Sequence, residues 1–139
     1  MRNERLRAWL TTIFACFLLS LSMSAFAAET RLKKAMPEGG TAVLTFTAKP
    51  LLTMTETPFT VVLTGGTGKV LSDAAVSLHL VMPAMAMPLN NPKALWQDDA
   101  YQGIATFTMA GEWDAIMLIQ RPGHDGLDLT FKLGQVQMK

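Results

Sequence analysis

Cysteine is nearly absent from this 139-residue chain: Cys16 is the single one, and His79 and His124 are the only histidines. Cys16 sits in an apolar N-terminal stretch, so the domain that follows has no disulfide to hold it and no thiol nucleophile. Two histidines 45 positions apart, with no HExxH spacing, make no recognisable zinc motif. Ser72 and Ser77 have no obvious His/Asp partners. Asp98-Asp99 and the Asp125/Asp128 pair read as turn and surface residues rather than as catalytic carboxylates. Gly65–Gly68 joins two apolar runs and opens no helix, so it is no phosphate loop. The chain carries 12 Lys/Arg against 11 Asp/Glu, and this balance argues against nucleic acid or an anionic membrane surface as partner. Repeats and low-complexity segments are missing too. A binding role is expected, not an enzyme.

What is present begins with an export signal. Arg2, Arg5 and Arg7 precede an apolar run from about Ala8, and Ala25-Phe26-Ala27 places small residues where a signal peptidase reads. The expectation is a cleavable signal over 1–27, cut after Ala27, and a periplasmic mature chain from Ala28. An uncleaved anchor and a lipoprotein site at Cys16 are the alternatives. The mature chain would be one domain of 112 residues, with nine Lys/Arg and ten Asp/Glu. A chain of that length buries roughly 65% of its unfolded surface, enough for one apolar core.

Residues 28–40 are polar, end in Gly39-Gly40, and read as a flexible arm before a domain over 41–139. From there the hydrophobic period is two. Thr41–Ala48, Phe59–Leu63, Ala75–Met82, Tyr101–Met109, Trp113–Gln120 and Leu127–Leu133 alternate as half-buried strands, with Gly65–Gly68, Ala110-Gly111-Glu112 and Arg121–Gly126 as connections. Leu44, Phe46, Val61, Leu80, Phe107, Trp113 and Phe131 fall on inward faces. No helical period competes, so the expected fold is an all-β, antiparallel β-sandwich.

Methionine is crowded into one place. Met82-Pro83-Ala84-Met85-Ala86-Met87 is followed by Tyr101-Gln102-Gly103 and by Phe107-Thr108-Met109-Ala110-Gly111-Glu112-Trp113. These motifs resemble the YtkA-like family of exported domains, related to FixH-like proteins, over roughly Leu44 to Leu133. The resemblance implies an immunoglobulin-like sandwich and a role in copper handling or respiratory-oxidase assembly. A periplasmic copper protein, a membrane transporter or an oxidase-assembly factor would then be the partner. The chain departs from the pattern in two respects. A cleavable signal stands where FixH-like proteins carry a membrane anchor, and Met87-Pro88 occupies the place where family members often have a histidine.

Thioether sulfur is soft and neutral, suits Cu(I), and is a poor ligand for zinc, magnesium or calcium. It needs no deprotonation and forms no disulfide, so it serves a cysteine-free domain in an oxidising compartment. Met85 and Met87 lie beyond Pro83 in what should be a loop. If a short strand forms at Lys93–Gln97, with Asp98-Asp99 as its turn, Met109 comes to the same end of the sandwich. Met85, Met87 and Met109 are therefore the candidate Cu(I) ligands, with His79 as a further one. Without that strand, His124 would join the loop instead. The blander readings are concrete. Met82 shares a face with Leu78 and Leu80 and should be core, as should Met117. Met54 and Met138 look isolated. Met85 and Met87 would also serve as an apolar cap or as an adaptable contact for a protein partner, and His79 as an ordinary exposed strand histidine. The oligomeric state is left open by the sequence.

Overall fold

Alternation becomes burial strand by strand. In the computed structural model, which describes residues 28–139, Thr41–Phe46 buries Ala42, Leu44 and Phe46, and Ala75–Val81 buries Val76, Leu78 and Leu80. The expected signal peptide and its cleavage after Ala27 lie outside the described residues. Nine strands are described: β1 (Thr30–Ala35), β2 (Thr41–Phe46), β3 (Leu51–Leu52), β4 (Thr57–Thr64), β5 (Ala75–Val81), β6 (Lys93–Gln97), β7 (Ala100–Ala105), β8 (Gly111–Gln120) and β9 (Leu127–Gln137). Among the described residues none is helical.

The strands hydrogen-bond in the order β1-β2-β4-β7-β6-β5-β8-β9-β3. All neighbours are antiparallel except β3 and β9. β6 carries the chain from one wall to the other: Lys93 and Ala94 pair with β5, and Leu95 to Gln97 pair with β7. Folded at that strand, the sheet forms a nearly closed, barrel-like sandwich. Phe46 of β2 meets Phe59 of β4 at 5.8 Å and Phe107 at 5.8 Å, and Phe107 meets Trp113 of β8 edge-on at 5.3 Å, so an aromatic row ties the two walls. All seven residues expected to face inward are buried.

The expected strand at Lys93–Gln97 is β6, and Asp98 and Asp99, at φ 52° and 62°, turn the chain into β7. Two positive φ values in a row suit a two-residue hairpin turn, where aspartate is tolerated.

The flexible arm expected over 28–40 is a correction. Residues 30–35 form β1, in full register with β2 from Thr30↔Phe46 to Ala35↔Thr41. Leu32 lies opposite Leu44 and packs on the core, and Lys34 donates from Nζ to the Thr130 carbonyl of β9 at 2.7 Å. Gly39-Gly40 is the hairpin turn of this pair, not the end of an arm. Gly40 has φ +88°, and a Cβ there would stand 1.9 Å from the Thr64 carbonyl oxygen, so only glycine fits. The strand expected over Tyr101–Met109 also ends early: β7 stops at Ala105, and Phe107 makes an isolated parallel bridge to Thr53.

Candidate functional site

β5 delivers the methionine loop. Alternation turns Met82 inward, 8% exposed, with its methyl against Gly111; a Cβ on Gly111 would stand 2.6 Å from Met82 Cε. The chain then turns, Met85 N–H donating to the Met82 carbonyl at 3.3 Å, and returns beside β5, where Leu80 N–H reaches the Asn90 carbonyl and Leu78 N–H the Pro92 carbonyl, both at 2.9 Å. Met82 to Asn90 is thus a loop closed at its base. Pro83 and Pro88 restrict its backbone and lower the entropy lost when its side chains are fixed.

The link from β7 to β8 lies against this loop. Asn90 Nδ2 donates to the Thr106 carbonyl at 2.9 Å, and the Trp113 indole N–H donates to the Met109 carbonyl at 2.9 Å. Met82 and Asn90 are therefore two anchors between the segment carrying Met85 and Met87 and the segment carrying Met109. All three methionines belong to one end of the sandwich. Met85 and Met109 are 48% and 43% exposed, while Met87 is half-buried and packs on the core. Met82 and Met117 are core residues, as their parity predicted.

His79 stands on β5 itself. It lies on the outer face of β5, opposite Ile116 of β8 and three residues before Met82, which along a strand is about 10 Å. His124 belongs to the far end, with Nδ1 3.6 Å from Glu38 Oε2. A cavity of about 170 Å³ opens there over Met36, Leu71 and Ile119, beside Arg121. Arg121 Nε bonds Asp73 Oδ1 at 3.0 Å, and that bond holds the exposed Asp73 carboxyl below its ordinary pKa. Among the described residues no three His, Cys, Asp or Glu side chains are grouped so as to hold a metal ion. The concentration of soft donors at the other end is of sulfur alone.

Two methionines set aside on sequence grounds belong to the same end. Met54 N–H donates to the Phe107 carbonyl at 2.8 Å, and Thr53 Oγ1 lies 3.8 Å from Met138 Sδ. They were illegible because what brings them there is β3, a two-residue parallel pairing with β9 that leaves no alternation to read. No family model, curated protein or solved structure matches this chain, so the YtkA-like resemblance rests on its motifs.

Proposed function

We propose that this is an exported, non-catalytic domain that binds Cu(I) through the thioethers of Met85, Met87 and Met109, and that it handles or delivers copper in the periplasm. The observation carrying this reading is the double anchoring of the two methionine-bearing segments, Met82 against Gly111 and Asn90 to Thr106, at one end of a rigid sandwich. Met85 and Met109 are half-exposed side chains within reach of an incoming ion, and Met87 packs on the core. An uncharged, three-sulfur donor set favours Cu(I) over Cu(II) and Zn(II). His79, on the outer face of β5 three residues before Met82, is the further candidate ligand. Equilibrium dialysis of the anaerobic, reduced mature domain against each of the three ions tests the proposal: Cu(I) retained and Zn(II) washed out supports it, and Zn(II) retained equally well opposes it.

A second reading has its own support. Leu89, Leu95 and Ile104 are 78%, 70% and 55% exposed, Leu95 and Ile104 on the outer surface of β6 and β7 and Leu89 in the methionine loop. Such exposed apolar side chains, together with the exposed and adaptable Met85 and Met109, suit an interaction module that docks a periplasmic or membrane partner without metal.

A further inference from the structure

Of the nine large apolar side chains exposed among the described residues, four are methionines: Met54, Met85, Met109 and Met138. All four lie at one end. β8 begins where β9 finishes, Gly111 pairing with Val136, so Met138 follows two residues beyond that pair. Leu51 pairs with the same Val136, Thr53 bridges Phe107, and Met54 N–H bonds the Phe107 carbonyl two residues before Met109. The segment carrying Met109 therefore has the Met85/Met87 loop on one flank and the segments carrying Met54 and Met138 on the other.

The second flank is built, not frayed. Thr53, 3% exposed, donates its hydroxyl to Met138 Sδ and accepts from Lys139 N–H at 3.2 Å, which fixes the C-terminal segment beside the residue preceding Met54. A thioether sulfur has two lone pairs, so that weak hydrogen bond orients the sulfur and leaves one pair free. Met54 is 69% exposed and sits at φ 51°, a conformation L side chains adopt at a cost. Glycine or asparagine is the economical choice for such a turn. A long apolar side chain held in that backbone state and turned to water gains nothing from the core.

We infer that Met54 and Met138 form a second, shallower thioether site for Cu(I), adjoining the one made by Met85, Met87 and Met109. The inference rests on the Cu(I) reading above and extends it to a two-site surface, on which an ion landing on the exposed pair has Met109 as the neighbouring sulfur. With two sulfurs in place of three, the second site binds more weakly and fills after the first.

Methionine methyl-labelled protein, titrated anaerobically with Cu(I) and followed by carbon–proton correlation spectra, reports each methionine separately. The expected result is that the first equivalent moves the methyls of Met85, Met87 and Met109, and the second moves those of Met54 and Met138. The Met54→Leu/Met138→Leu variant should lose the second equivalent and keep the first. Met54→Gly, which removes the sulfur and relieves the backbone, should behave likewise with an unchanged fold. Methyls of Met54 and Met138 that stay still through the second equivalent, or a double variant that binds as much Cu(I) as its parent, overturn the inference. Movement at Met54 and Met138 alone, with Met85, Met87 and Met109 silent, upholds the exposed site and defeats the three-sulfur reading instead.

Discussion

The Met82 methyl lies over Gly111, 2.6 Å from where a Cβ would stand, so any side chain there must displace it. Gly111 also has φ +137°, so an L side chain there is both strained and crowded. Gly111→Ala should destabilise the domain by about 1–3 kcal/mol, chiefly through the strained backbone, as measured by chemical denaturation. Because the same contact sets the methionine loop against the Met109 segment, the variant should also bind Cu(I) more weakly. Met82→Leu keeps the volume and should cost under about 1.5 kcal/mol with Cu(I) binding unchanged. A loss of Cu(I) in that variant would move Met82 from the core into the ligand set.

Phe131 is 4% exposed on β9 and belongs to the core cluster. Phe131→Ala should cost about 3–5 kcal/mol. A loss below about 1 kcal/mol in urea denaturation would be that of a surface site and would contradict its burial.

Strands were legible where one face is buried and the other wet. β2, β4, β5 and β8 carry their cores at every second residue, and a one-residue slip would have exposed all of it. β6 was found indirectly, since Met109 needed it to reach the methionine loop. β1 was not, because Thr30–Ala35 holds one large apolar residue, Leu32, and its lysines and arginine read as solvent arm; the structure uses it as an edge strand, where such charges are ordinary. The end of β9 was hidden by a bulge. Trp113 pairs with Gly134 and Asp114 with Lys132, so Leu133 is an extra residue and the inward parity passes from Phe131 to Val136. Within the candidate site, Met85, Met87 and Met109 were legible from motif and strand direction. Met54 and Met138 depended on long-range pairing that no local pattern encodes.

Tyr101 gives the fold an alkaline signature. Its hydroxyl donates to the Leu71 carbonyl at 2.8 Å and accepts from Ala74 N–H at 3.1 Å, and burial raises its pKa above the usual 10.0. The folded state thus keeps a proton that the unfolded chain releases. This contribution is whole below pH about 10 and is lost as pH rises through the folded value. Tyr101→Phe strands both backbone partners and should cost about 1–3 kcal/mol at neutral pH. Its stability should then decline less steeply above pH 10 than the parent's, in thermal melts across that range. Parallel pH curves for the two proteins would contradict the assignment.

Export is tested apart from the fold. Mass spectrometry of the periplasmic fraction should find a chain beginning at Ala28. An intact N-terminus in the membrane fraction would restore the anchored alternative, and with it the closer likeness to FixH-like proteins.

The central claim, that Met85, Met87 and Met109 bind Cu(I) as one site, turns on sulfur and not on shape. Changing all three to leucine keeps their volume and apolar character while removing the donors. Under anaerobic competition with a chelator of known affinity, the triple variant should lose the tightest Cu(I) equivalent, weakening it by at least about 100-fold, which corresponds to roughly 2.8 kcal/mol. Its thermal midpoint should stay close to the parent's, since Met85 and Met109 are half-exposed and Met87 is replaced by a residue of like volume. A triple variant that competes for Cu(I) as strongly as the parent would contradict the account and leave this end of the sandwich as an apolar contact surface.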